Sequence, residues 1–273
     1  MDANLTLSVV DQSPMREGGN SGDALRETIE LAVAVERMGY SRYWVAEHHN
    51  LPNFAGTSPE MLIGQIAART QTIRVGSGGV MLSHYSALKV AENFRFLDSL
   101  YPDRIDLGIG RAPGSDQLTM SALAYPAYPK GIEHFPRQVS DVVGYLSGSL
   151  QDGHPFADVS LPRGKRPPYH RSGCWVQDTR VLIWRPNGIV ICLCPFFWYR
   201  TQDGPDIVEG YRKNFQPSEY LAKPQVNVGV HVVCADTEEE ALNMPSRNLA
   251  RLFSVTGRAK GIPVWKTLEI TNI

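Results

Sequence analysis

Alternation between strand-like and helix-like stretches constrains this chain more than any other feature of its sequence. Residues 5–10 alternate and are rich in Leu and Val, as a first strand would be. Residues 21–38 then place Leu25, Ile29, Ala32, Val35 and Met38 at helical spacing, and Gly39 stops the run. The pattern repeats with strands predicted at 41–46, 73–82 and 104–109 and helices at 61–69, 88–100 and 138–146. Ser58 is placed to cap the second helix, with Pro59 at its first position. Strand–helix alternation of this kind implies a parallel sheet covered by helices. At 273 residues the chain is long enough for one α/β barrel domain.

Three predicted strand ends carry unusual residues: Ala46-Glu47-His48-His49-Asn50, Val75-Gly76-Ser77-Gly78-Gly79-Val80 and Leu107-Gly108-Ile109-Gly110-Arg111. Parallel α/β folds bind ligands at the C-terminal ends of their strands, so three such ends at regular spacing predict one pocket. A net charge of −1 with both signs mixed gives no basic face for nucleic acid. No run reaches the roughly 18 apolar residues of a membrane helix. The first five residues lack the pattern of a signal peptide, so the expectation is a cytoplasmic protein with no membrane partner. Cys192 and Cys194 have no second pair at zinc-ligand spacing, and no metal site is expected. Glu47, His48 and His49 do not supply one either, because adjacent extended residues face opposite ways.

The strings WVAEHHN at 44–50, IRVGSGGVMLSHYS at 73–86 and RIDLGIGRAPGSDQ at 104–117, in this order and spacing, resemble the luciferase-like flavin-dependent monooxygenases of the bacterial luciferase superfamily. The resemblance spans roughly 5–160 and 201–255. It implies a (β/α)8 TIM barrel, a homodimer, and FMN or the related deazaflavin F420 at the C-terminal face, with the motifs favouring FMN. It further implies that reduced flavin, often supplied by a separate flavin reductase, and O2 oxidise a small-molecule substrate. Within that pattern His48 matches the histidine near the reactive edge of the flavin. Gly78 and Gly79 match a position where the family often has a non-prolyl cis peptide under the ring, and Ser77 lies at the ring edge. Arg111 matches the phosphate-binding arginine. Gly110 stands where luciferase itself has a reactive cysteine. Ser115, Asp116 and Gln117 are candidates for the substrate side, and Asp11-Gln12-Ser13-Pro14 for a pocket floor or a simple turn. Glu47 and His49 are read as structural, the carboxylate orienting a neighbouring ring, and His84 and Tyr85 as loop residues.

Residues 165–200 break the pattern, with Pro167-Pro168, three tryptophans and three cysteines and no period. The family has two strands here, one ending in WLLGSxxYS-like text and the next reading like FAFAHFF. Back-translation of 172–179, read from each third base, allows Trp-Leu-Leu-Gly-Ser-Gly-Tyr-Ser. Its second Leu and its Gly are forced by Cys174, Trp175 and Val176 under any codon choice. Residues 184–199, read from each second base, allow Gly-Gly-Gln-Met-Gly-Leu-Ser-Phe-Ala-Phe-Ala-His-Phe-Phe-Gly-Thr. The segment near 169–200 therefore reads as frameshifted. The expected architecture is a single luciferase-like barrel domain over 1–273, incomplete, with the middle strands disrupted, the last strand missing and an atypical tail at 262–273. A helix at 206–215, a strand at 225–233 and a helix at 237–252 capped by Asp236 complete the expectation. The competing expectations are a catalytically inactive, damaged family member and a non-enzymatic flavin-binding protein.

Overall fold

The structure is a computed structural model. It describes residues 6–16, 18–111 and 115–162, the backbone of 181–185, 188–192 and 204–214, and scattered positions from 208 to 240. The chain divides into two compact units, Met1–Gly229 and Val230–Ile273.

In the first unit the elements run β1 (Ser8–Asp11), α1 (Ser21–Arg37), β2 (Arg42–Val45), α2 (Pro59–Arg69), β3 (Arg74–Ser77), β4 (Val80–Met81), α3 (Ala87–Leu100), β5 (Ile105–Gly110), α4 (Gln117–Ala124), α5 (Phe135–Ser147), β6 (Val181–Arg185), β7 (Gly188–Cys192) and α6 (Gly204–Asn214). Strands β1, β2, β3 and β5 pair in that order and are all parallel, with Arg42 opposite Ser8 and Arg74, and Val75 opposite Ile105. The alternation read from the sequence thus holds through β5. Two details differ. The strand expected over 73–82 breaks into β3 and β4 at Gly78-Gly79, and β4 pairs with β5 through Val80–Ile109 and Met81–Gly110. Helix α4 was not foreseen; Asp116 caps it, accepting from Thr119 N at 2.8 Å.

Period-two alternation sorts each strand into two faces. Tyr43, Val45, Val75, Ile105, Leu107 and Ile109 join the apolar core shared with α1, α2, α3 and α5. The other face carries Arg42 and Trp44, Arg74 and Gly76, and Asp106. At its N-terminal end Asp106 accepts from Arg42 Nε at 3.1 Å and from Arg74 Nε at 3.0 Å and its Nη2 at 2.5 Å, which ties three strands together. Just above, the Trp44 ring fills the space a side chain at Gly76 would need: a Cβ there would lie 2.6 Å from both Trp44 Cζ3 and Asp106 O. Only glycine lets the indole cross over β3.

Among the described residues the barrel is not closed. Strand β1 has β2 as its one described neighbour, and Val10 on its inner face is 54% exposed. Beyond β5 the direction changes: β6 pairs antiparallel with β5 and β7 antiparallel with β6. A barrel built of strand–helix units needs parallel neighbours there, each reached by a helical crossover. Only Pro186 and Asn187 separate β6 from β7, too short a link for a parallel return, so they form a hairpin. In the part of the chain where disrupted middle strands were expected, the described backbone is this hairpin.

In the second unit Glu240 N donates to Thr237 Oγ1 and Thr237 N to the Glu240 carboxylate, each at 3.2 Å. This reciprocal pairing makes Thr237, rather than Asp236, the cap at that helix start. The strand expected at 225–233, and the helix expected at 237–252 beyond Glu240, lie outside the described residues. So do 163–180, Ala112-Pro113-Gly114 of the third motif, and the tail from 262.

Candidate active site at the strand ends

The C-terminal ends of β2, β4 and β5 are stitched together by backbone and one carboxylate. Ala46 N donates to Asp11 O at 2.9 Å and Gly78 N to Val45 O at 2.7 Å, carrying the parallel ladder past the formal strand ends. Glu47 follows, 1% exposed, and its Oε2 accepts from Met81 N at 2.9 Å. Met81 pairs with Gly110, and Arg111 comes next. The structure so aligns, across adjacent strand ends, the segments that carry His48, the glycine pair and Arg111.

Glu47 is the hub. Its Oε1 lies 2.7 Å from His49 Nε2 and accepts from Tyr85 Oη at 2.7 Å. The sequence reading had this carboxylate orienting a neighbouring ring, and His49 is that ring. Tyr85 was read as a loop residue; it does lie in the segment between β4 and α3, and its hydroxyl is bound to Glu47. His84 packs edge-on against both His49 and Tyr85, with ring centroids 5.9 and 6.2 Å away. Positions 47 and 49 share a face because an extended chain repeats every two residues, so half of this network was accessible from spacing alone. Tyr85, 36 residues further on, had no such signal.

His48 points the other way. Its ring stacks on Phe54 at 5.1 Å, and its backbone N donates to Gly56 O at 2.9 Å, so the 50–57 loop is folded back over it. That loop is held in turn by Ala55 N to Ser13 O and Met15 N to Asn53 O, each 2.9 Å. Burial pushes the pKa of His48 below its ordinary value; the Glu47 charge works against that shift and His49 adds to it. The ring is therefore neutral at neutral pH. Its Nδ1 is buried and has no hydrogen-bond partner among the described residues, and the same holds for Trp44 Nε1 on the inner face below.

The glycine pair is joined by a cis peptide bond, as the resemblance implies. A different reason makes both positions glycine. A Cβ at Gly79 would sit 2.8 Å from Gly108 C and O and 3.0 Å from Gly110 N, and one at Gly78 would sit 3.1 Å from Trp44 Cβ. The missing side chains are displaced by protein, which lets β4 close on β5. Ser77 is fully buried, and its Oγ donates to Gly108 O at 2.8 Å and accepts from Gly108 N at 3.0 Å. Its hydroxyl braces β3 against β5. Arg111 is half-buried directly after β5. Asp116 meets the β2 end through Asn50 Nδ2 at 3.1 Å. Asp11 takes the turn role rather than a pocket floor, accepting from Ser13 N at 2.7 Å and Tyr43 Oη at 2.5 Å. Among the described residues no three His, Cys, Asp or Glu side chains converge as a metal site, and no helix is long and apolar enough to cross a membrane.

A family model for luciferase-like monooxygenases matches residues 5–155, which is more than half of the chain. The chain belongs to the luciferase-like monooxygenase family. It is 40% identical over 264 residues to the uncharacterized protein YwcH of Bacillus subtilis (strain 168), covering 95% of this chain and 76% of that one. It is 37% identical over 245 residues to a luciferase-like monooxygenase of Escherichia coli (strain K12), covering 88% and 70%. Among solved structures, apo-MsnO8 superposes with a TM-score of 0.75 at 34% identity over 94% of this chain and 75% of that one. The fold is that of the luciferase-like TIM-barrel monooxygenases.

Proposed function

We propose that this chain is an FMN-dependent monooxygenase whose flavin binds at the ends of β2, β4 and β5. The observation that carries the reading is the buried, unpartnered His48 Nδ1, with Trp44 Nε1 in the same condition on the face below. A buried polar atom left unpaired costs about 1–3 kcal/mol, so unpaired ring nitrogens at the strand-end rim and just below it favour a ligand with polar edges. A flat, polar heteroaromatic group has such edges, and the residues fit it. When bound, reduced FMN supplies the electrons with which O2 is activated toward a small organic substrate.

The chain's own residues divide the remaining work. Arg111 pairs with the phosphate, since a guanidinium binds phosphate through paired charge-assisted hydrogen bonds. Gly78 and Gly79 present backbone to the ring, and Ser77 holds that backbone to β5. His48, neutral and clamped by Phe54, holds or takes a proton at Nδ1, the role a histidine near neutrality performs best. The folded-back 50–57 loop keeps water from that face of the imidazole. A homodimer in the cytoplasm, fed by a separate flavin reductase, completes the proposal. Titration of the chain with FMN and with F420, followed by flavin fluorescence, tests the site. Saturable FMN binding with oxygen consumption under a reductase supports the reading. Binding without turnover indicates a flavin-binding protein, and preference for F420 removes FMN.

A second reading has its own observation. Where the resemblance calls for two parallel strands, β6 and β7 form an antiparallel hairpin, and β7 with the last two residues of β6 lies within text that recovers family-like sequence in another reading frame. The 169–200 segment then derives from a displaced reading frame, and the chain as written is a damaged member lacking those strands' contribution to the site. Expressing the frame-restored version beside the present chain decides it. Equal FMN affinity in the two proteins rejects the damage, whereas tight binding only in the restored one establishes it.

A further inference from the structure

Met81 sits between Val80 and Leu82, which both belong to the apolar core, and is itself outside that core. Period-two alternation therefore turns its side chain to the opposite, inner face. Its partner across β4 and β5 is Gly110, which follows core-facing Ile109 and so faces the same way. The contact distances agree: a Cβ built on Gly110 would lie 2.5 Å from Met81 Cε and 3.3 Å from Met81 Sδ. The thioether thus lies across the C-terminal end of β5, in the space that a side chain at 110 would take. Its backbone is pinned there, since Met81 N donates to Glu47 Oε2 at 2.9 Å. A soft, polarisable sulfur is thereby fixed at the inner rim, on a residue that is 9% exposed.

We propose that Met81 is an oxidation site of this chain, converted to its sulfoxide by peroxide formed at the strand ends when reduced flavin meets O2 without substrate. The proposal rests on the reading that FMN binds there. Reduced FMN gives two electrons and two protons to O2, leaving oxidised FMN and hydrogen peroxide. A lone pair of Met81 Sδ then attacks one peroxide oxygen. The S–O bond forms as the O–O bond breaks, the sulfur loses two electrons, and the second oxygen leaves as water with both protons. The product replaces a flexible apolar side chain with a polar one, and methionine sulfoxide reductases return it to the thioether. Solvent access alone ranks other sulfurs ahead: Met38 at the end of α1 is 72% exposed and Met61 on α2 is 71% exposed. Oxidation follows exposure when the oxidant comes from solution. Met81 oxidised ahead of both is therefore the signature of peroxide made at the rim.

The test reads the oxygen added to each methionine by peptide mass spectrometry, after an FMN titration of the same chain. In the first arm the flavin-free chain meets dilute hydrogen peroxide, and Met38 and Met61 should oxidise before Met81. In the second arm the FMN-loaded chain is cycled in air with NADH and a flavin reductase, with no substrate added. Catalase is present there to destroy peroxide that escapes. Met81 should now gain oxygen first, while Met38 and Met61 stay reduced. In the third arm peroxide is added to the chain loaded with oxidised FMN and no reductant, and the order of the first arm should return. Met81 left unmodified in the second arm overturns the proposal. Met81 oxidised first in the third arm also overturns it, because bound flavin would then merely expose the sulfur to solution. A chain that binds no FMN removes the functional reading and this inference with it, whereas a chain that binds FMN and spares Met81 removes this inference alone.

Discussion

Replacing Asp106 with Asn should unfold this protein more readily without touching the strand-end site. The carboxylate is 1% exposed and holds Arg42 on β2 and Arg74 on β3, whose side chains are 17% and 23% exposed. Asparagine keeps the volume but loses the charge, and its amide N–H2 faces guanidinium donors. Removing one partner of a buried ion pair costs about 3–5 kcal/mol, because the other charge stays desolvated. Two features bring the figure to the lower end. Both arginines retain some water, and Arg74 keeps its hydrogen bonds to Ile105 O at 3.1 Å and to Asp103 O. A loss of about 3 kcal/mol is therefore expected. At about 2–4 °C per kcal/mol for a unit of this size, Tm should fall by about 6–12 °C. The assay is urea unfolding followed by tryptophan fluorescence, with thermal melts beside it. The control is Glu27→Gln, which breaks the exposed Arg16–Glu27 pair, and it should change stability by less than about 1 kcal/mol. Added salt should weaken the exposed pair and leave the Asp106 effect intact. If Asp106→Asn matches the control, or if its loss vanishes in salt, the cluster does not hold the strands and the reasoning fails.

Gly79→Ala should destabilise the fold by about 1–3 kcal/mol, because its Cβ meets β5 backbone that cannot swing aside; Gly210→Ala, with nothing within 4 Å and a place inside α6, should stabilise by about 0.5–1 kcal/mol in the same unfolding assay. Glu36 loses some water, which acts to raise its pKa, but N–H donors from Ile73, Thr72 and Gln71 at 2.7–2.9 Å outweigh that and hold it below the ordinary value. The folded pKa is depressed, so its contribution is present above the unfolded value of about 4.3 and is lost as pH falls through the folded one. Stability measured against pH should therefore show Glu36→Gln converging on wild type in acid. His48 also has a depressed folded pKa, so stability should decline as pH falls below about 6.5, where the unfolded chain takes the proton first; a His48→Phe variant should lack that limb. In flavin titrations and turnover, His48→Ala should lower turnover and spare FMN affinity, whereas Arg111→Ala should weaken FMN binding.

How much of this was legible in the sequence differs along the chain for physical reasons. Helices α1, α2 and α3 and the four parallel strands show in periodicity because each buries one face against a common core, and burial imposes the repeat. Helix α4 escaped because it buries none of its residues and leaves no apolar stripe to read. The break between β3 and β4 escaped because Val80 and Met81 are buried like the strand before them, so hydropathy is continuous across Gly78-Gly79. In the site, the atoms that crowd the two glycines were not legible, since they come from Trp44, Gly108 and Gly110, 29 or more residues away. Tyr85 was passed over for the same reason. Its meaning depends on Glu47, and only the fold brings the two together.

The inner face of the sheet divides its chemistry by height, and that division explains how the rim can leave polar atoms unpaired. At the N-terminal ends the inner face carries a matched cluster, in which Asp106 takes both Arg42 and Arg74. One layer up, Trp44 over Gly76 fills the interior and separates that cluster from the rim. At the rim Glu47 is fully engaged, yet His48 Nδ1 beside it is not. An unpaired buried nitrogen among otherwise saturated neighbours is a local cost that the lower layers can carry, because breaking the site does not break the strand register they hold. It follows that variants at the two levels should separate cleanly. Asp106→Asn should lower Tm with FMN affinity unchanged, and His48→Ala should lower turnover with Tm unchanged or raised. A His48→Ala protein that melts well below wild type at neutral pH would show that the imidazole is a packing element of the rim, and the division by height would be wrong.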